Sequence, residues 1–305
     1  MTDLIGHNSL YQASRLKPDN DNKRHRATNE EMEVRAQFLI AYAAKNFPVT
    51  VRQLFYAATV ASIPGISKDD NGYCAIQQQV LKLRRAGRMP YGHIADMTRM
   101  RRKPSTYGGV EEALEETARF YRKALWRDQP AHVEVWVEKD ALAGCLLPVT
   151  SRFDVPLMVC RGFTSETFAY EAVEEWEEIG KDEVHVYHLG DFDRSGQDAA
   201  KDLRDKLNRF ARDRDVRFFF ERLAVTESQV EYFNLPTREP KRNTTADKRW
   251  PYDYACELDA IPPDKLRTML WNVLDNYIPH DQMKVLEAAE ESERTLLKGL
   301  AGMAA

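Results

Sequence analysis

The apolar positions of this chain follow two different periods. Up to about residue 126 they recur at helical spacing. Met32, Ala36, Leu39, Ile40 and Ala43 fall on one face behind Thr28-Asn29-Glu30-Glu31, a capping-box pattern that opens a helix. A second box, Thr50-Val51-Arg52-Gln53, predicts a helix running through Leu54-Phe55-Tyr56 to about Ala61. Gly65 and the 69–72 stretch mark a loop. A third helix is predicted from about Tyr73 to Ala86, with Ile76, Val80, Leu81 and Leu83 inward and Gly87 as its stop. Met89-Pro90-Tyr91-Gly92-His93-Ile94 fits a short hairpin, and three helices with a basic wing fit a winged-helix module. A bridging helix from about Gly109 to Trp126 is acidic at its start and basic at its end, as the helix dipole prefers.

Beyond Pro130 strands and helices alternate. Val133, Val135 and Val137 alternate along a first strand, and a helix follows from Ala141. Next come a strand at Pro156–Cys160, a helix at about Ser165–Ile179 and a strand at Val184–Leu189. A helix at about Gly196–Phe210 and a strand at Arg217–Phe220 complete the series. Such alternation predicts an α/β class, a doubly wound parallel-type sheet with helices on both faces. The 235–254 stretch, rich in Pro, Arg, Lys, Asn and Thr, reads as a long basic loop, either disordered or functional. Two helices, about Asp264–Tyr277 and His280–Leu297, close the chain, and no internal repeat is present. The expected organisation is a mobile polar arm (1–27), the winged-helix domain (28–105), a linker helix (106–130), the sheet domain (131–235), and the basic loop with C-terminal helices (236–305).

Composition narrows the class only a little. At 305 residues, 43% hydrophobic and 30% charged, the chain has the make-up of a globular protein with room for two cores. No apolar run is long enough to span a bilayer, and the N-terminus lacks the apolar stretch of a signal peptide, so no membrane association is expected. Cys74, Cys145, Cys160 and Cys256 form no CxxC pair, which argues against zinc; Cys145 and Cys160 lie in apolar segments and read as buried thiols of a reducing, cytoplasmic protein. Charge distribution says more. The net charge of −4 argues weakly against nucleic acid, yet residues 51–103 hold ten cations against Asp69, Asp70 and Asp96. Arg84, Arg85 and Arg88, with Arg99, Arg101, Arg102 and Lys103, form either a phosphate-binding face or a solvated helix surface.

The strand ends carry the candidate chemistry. The first finishes in Val137-Glu138-Lys139-Asp140 and the third in Gly190-Asp191-Phe192-Asp193-Arg194-Ser195-Gly196. Functional groups of a doubly wound sheet gather beyond its carboxyl ends, so Glu138, Asp191 and Asp193 are expected at one edge. Three neighbouring carboxylates repel one another unless a hard cation neutralises them, and oxygen-only ligation favours Mg²⁺. Gly196 lets the next helix start without a steric clash. A DxD alone is commonly a solvated turn; the glutamate at the tip of an earlier strand is what makes it a metal cradle. Arg161, ending the second strand, and Lys139 are candidate DNA contacts, while His185 and His188 read as packing residues within their strand.

The succession VEK, RGF, GDFDRSG resembles the Toprim domain of topoisomerases, primases and related nucleases. The upstream VRQLFY resembles the nucleophile motif of the topoisomerase VI A subunit and the meiotic double-strand-break proteins. Together they cover roughly residues 28 to 235. The short chain without an ATPase domain looks most like the stand-alone members called Mini-A, to which 223–236 and Glu257-Leu258-Asp259-Ala260 are also similar. The resemblance implies a winged-helix plus Toprim enzyme, a type IIB topoisomerase A-like homodimer. Such an enzyme cuts double-stranded DNA with Mg²⁺, leaves 5′-phosphotyrosyl links, and sets one subunit's tyrosine against the other's metal site. A separate ATPase subunit is a further implied partner. Tyr56 matches the nucleophile and Arg52 the motif's arginine; Arg194-Ser195 stands where the topoisomerase VI type has proline. Physical chemistry agrees with the match. Arg52 and Tyr56, four apart, share a helix face, and a guanidinium favours the phenolate and stabilises charge on the attacked phosphate. Glu138 is also a candidate acid and base toward the leaving hydroxyl. Apart from the sheet pattern, the same pair reads as a packed tyrosine beside a surface ion pair. Three rival functions stay open: a hydrolytic Toprim nuclease that does not use Tyr56, a break-making protein that relaxes supercoils only with a separate ATPase partner, and a non-catalytic DNA-binding protein of a phage or plasmid.

Overall fold

A computed structural model describes residues 28–95, 105–245 and 247–303. Three helices come first: α1 (Asn29–Asn46), α2 (Val51–Val60) and α3 (Asp70–Arg85). Both expected capping boxes form. The Thr28 and Thr50 hydroxyls accept the N–H of Glu31 and Gln53, whose side chains return to the cap N–H groups. The expected hairpin at Met89–Ile94 does not form. His93 N–H instead reaches the Pro90 carbonyl, closing a 3-10 turn over Tyr91–His93, and Ile94 makes a single parallel bridge to Val49. Proline offers no N–H to a ladder, and the His93 ring stacks on Phe47, which fixes the turn.

Helix α4 (Val110–Phe120) ends six residues short of the expected Trp126. Tertiary bonds replace its last turns: the Tyr121 carbonyl accepts from Arg294, and Lys123 N–H donates to Glu290. Both partners lie on α10 (His280–Met303), against which α4 packs.

The rest is a four-stranded, wholly parallel sheet of order β2-β1-β3-β4, with β1 Ala131–Val137, β2 Leu157–Val159, β3 Glu183–Leu189 and β4 Phe218–Ala224. Between the strands run α5 (Asp140–Arg152), α6 (Glu166–Ile179) and α7 (Arg194–Asp213). Alternation along β1 explains the layers. Trp136 faces α6 and α7 in one buried cluster, while Val133, Val135 and Val137 join a larger one. That larger core takes in α5, α9 (Pro263–Asp275) and residues of α1–α3, so the N-terminal helices and one sheet face share a single apolar interior. Buried Glu134 accepts from both Trp136 and Trp176 indoles, which satisfies the carboxylate on the α6 side.

Two further features went beyond expectation. Strand β4 continues four residues past Phe220, and a short helix, α8 (Glu227–Tyr232), follows it behind the capping box Thr226–Gln229. The basic loop is folded over the sheet edge. Arg238 bridges Ala255, Phe192 bridges Cys256, and Phe192, Trp250, Tyr252 and Tyr254 pack ring on ring. Cys145 and Cys160 are buried thiols as expected, pushed up to about 12 by burial. His188 stacks on Phe220 and His185 on Phe219, both in packing roles. No helix among the described residues is long and apolar enough to cross a membrane.

Candidate active site

The register sets the site. Val137, Val159, Leu189 and Ala224 end their strands side by side, so Glu138, Arg161 and Asp191 emerge from one edge. This is the crevice at which a doubly wound sheet reverses its strand order. Glu138 turns along the edge and its Oε2 accepts the Asp191 N–H at 3.0 Å. Two glycines make room for it. A Cβ on Gly190 would lie 2.8 Å from Glu138 Oε2, and one on Gly196 would lie 2.4 Å from the Asp191 carbonyl oxygen. Asp193 caps α7, its Oδ1 accepting the Gly196 N–H at 2.8 Å.

The three expected ligands therefore share an edge, but they do not turn toward one another. Asp191 Oδ1 takes the Lys139 ammonium at 2.9 Å and the Leu258 N–H at 2.8 Å. Asp193 Oδ2 takes Arg238 at 2.7 Å. Arg222, largely buried, donates to the Asp191 and Val225 carbonyls and supplies positive potential to all three carboxylates. Burial and the like charge of Asp191 raise the Glu138 carboxyl above its ordinary range; burial likewise raises Asp191, opposed by Lys139. Among the described residues, no three Asp, Glu, His or Cys side chains are grouped to hold a metal ion. The donor chemistry fits a hard divalent cation, since the oxygens are all carboxylate and the pressure of Asp191 on Glu138 is what such a cation relieves. Grouping them requires Lys139 and Arg238 to release Asp191 and Asp193.

The tyrosine helix reaches this edge through ion pairs. Arg52 Nε lies 3.5 Å from Glu257 Oε2, with its guanidinium 4.1 Å from the Tyr73 ring centre. Lys139 contacts Glu257 at 3.3 Å and Asp259 at 3.0 Å, and Asp259 accepts the Thr50 hydroxyl at 2.7 Å. Tyr56 is 6% exposed and packs on Phe55. It lines a cleft of about 340 Å³ with Phe38, Tyr42, Asp259 and Pro262. Burial, then Glu257, raises the phenol above its ordinary value; Arg52 and Lys139 pull it down but do not win. The expected help from Arg52 is thus present and outweighed.

The candidate DNA contacts are more scattered. Arg85 is exposed at the end of α3. Arg84 lies over the Tyr91 ring at 4.3 Å, and Arg88 holds Glu33 through two bonds. Arg161 pairs with Asp140. Arg99, Arg101, Arg102 and Lys103 lie outside the described residues, as does the 1–27 arm.

Arg222 and Arg238 are the residues that sequence reasoning passed over. Arg222 falls in the four-residue extension of β4. Arg238 sits in the basic loop, whose composition signalled function without singling out a residue. No family model matches the chain, and no curated protein matches it.

Proposed function

We propose that this chain cleaves double-stranded DNA by transesterification. The Tyr56 oxygen bonds to a backbone phosphorus, the bond from that phosphorus to the 3′ oxygen breaks, and the tyrosyl proton ends on the released 3′ hydroxyl. The 5′-phosphotyrosyl link conserves the phosphodiester energy for rejoining. One observation carries the reading: a chain of ion pairs, Arg52–Glu257–Lys139–Asp191, ties the tyrosine helix to the carboxylate edge. On this reading α1–α3 form a winged-helix-type module and the sheet a Toprim-type domain. Arg52 stabilises charge on the attacked phosphate, and Glu138 relays a proton toward the leaving oxygen. Glu138, Asp191 and Asp193 would hold Mg²⁺, which supplies positive charge for the phosphate when bound. Cutting both strands calls for two copies of the chain.

A second reading is favoured by the burial of Tyr56: hydrolysis at the carboxylate edge with the tyrosine as a core residue. A plasmid assay separates the two. Supercoiled DNA is incubated with protein and Mg²⁺ and quenched with detergent. Transesterification gives cut DNA that enters a gel only after protease treatment, and Tyr56→Phe gives none. Protease-independent cutting that survives Tyr56→Phe is hydrolysis.

A further inference from the structure

Glu257 is the meeting point of three cations from three parts of the fold. Arg52 comes from α2, Lys139 from the end of β1 and Arg238 from the basic loop. None holds it closely. The separations are 3.5, 3.3 and 3.5 Å, against about 2.7–2.9 Å for a well-formed charge-assisted bond. The carboxylate has lone pairs enough for all three, but from where it sits it reaches none of them at full strength. Arg238 Nε shows the deficit directly: it is buried, faces Glu257 and has no hydrogen-bond partner.

We infer that Arg52, Lys139 and Arg238 form a binding site for a DNA backbone phosphate, and that Glu257 fills it with its own carboxylate in the free chain. This rests on the reading of the chain as a DNA-binding protein. A phosphate presents more acceptor oxygens than a carboxylate over a wider radius, and guanidinium groups bind it through paired N–H donors. The surrounding charge allows the exchange. Asp191, Asp193 and Asp259 flank the site, but Lys139 serves Asp191 and Asp259, and Arg238 serves Asp193. With Glu257 in place, the carboxylates Glu138, Asp191, Asp193, Glu257 and Asp259 outnumber the cations Arg52, Lys139, Arg222 and Arg238 by one. Withdrawing Glu257 removes one negative charge from among these cations, and an incoming phosphate puts one back in its place. Phosphate also draws Lys139 and Arg238 toward itself, away from Asp191 and Asp193. DNA arrival and exposure of the acidic edge are then one event.

The test is binding of a short fluorescein-labelled duplex, read by anisotropy between about 50 and 200 mM salt without added metal. Glu257→Gln tightens binding about three- to tenfold at fixed salt, and Arg238→Gln lowers the slope of log K against log salt by about 0.9, one phosphate contact. Glu257→Asp keeps the charge but shortens its reach, and tightens binding in the same direction; it decides the matter if Glu257→Gln melts below the assay temperature. Unchanged or weaker binding by the Glu257 variants, an unchanged slope for Arg238→Gln, or no duplex binding by wild type and Glu257→Gln overturns the site. The cleavage reading fails separately. Salt-sensitive binding without tyrosyl adducts keeps the phosphate site and removes the chemistry. Adducts from a protein whose Arg238→Gln variant keeps its slope do the reverse.

Discussion

Tyr56 is held by opposing forces. Burial and Glu257 favour the neutral phenol, and Arg52 and Lys139 favour the phenolate. Because the phenol ends above its ordinary value, the phenolate is a minor species at neutral pH. Single-turnover cleavage should therefore climb with pH, by up to about tenfold per unit between pH 7 and 9; a flat profile would show that deprotonation does not precede attack. His188 gives a second test, on stability. Burial lowers its imidazole to about 3, so the unfolded chain takes up this proton below its ordinary value of 6.5 and the folded chain does not. Stability from this group is complete above 6.5 and declines as pH falls toward 3. His188→Gln should shallow the acid-side slope of unfolding free energy by up to about 1.4 kcal/mol per pH unit in that window, measured by urea titration at successive pH values. At this scale the sequence shows which residues end the strands. It does not show that Lys139 meets Glu257, because the two are 118 positions apart and ion pairs leave no local pattern.

Helix starts were the most legible elements, since a capping box is written in four consecutive residues. Thr50 shows what one box supports: its hydroxyl accepts the Gln53 N–H and donates to Asp259, while its own N–H goes to the Gln53 side chain. Thr50→Ala should cost about 1–2 kcal/mol in denaturant unfolding; a loss within a few tenths would mean that α2 is held by packing alone. Gly196→Ala probes the turn between β3 and α7. Its added methyl meets backbone, the Asp191 carbonyl, which cannot swing aside as a side chain could. A destabilisation of about 1–3 kcal/mol is expected from such overpacking. Element ends were less legible. The bridging helix stops at Phe120 because Arg294 and Glu290, far along the chain, take the backbone groups of its last turns. The expected hairpin gives way to a 3-10 turn after Pro90, and α8 opens on the capping box Thr226–Gln229 but is only six residues long, too short for a helical period to show in the sequence.

On the scale of the molecule, the N-terminal helices and the sheet share a core, and the aromatic loop lies over the edge where the carboxylates emerge. Strand–helix alternation made the parallel sheet readable, because its period is local. The charge balance at the edge was not readable, because it joins α2, β1, the basic loop and the Glu257 turn. Those ion pairs let Asp191, Asp193, Glu257 and Asp259 fold together on the chain's own cations. The central claim is that the Tyr56 oxygen becomes bonded to DNA. Protein quenched on plasmid with Mg²⁺, digested with nuclease and then protease, can be read by mass spectrometry. The account predicts a nucleotide mass on the peptide carrying Tyr56 and on no other tyrosine peptide. Cut plasmid with every tyrosine peptide unmodified would contradict it.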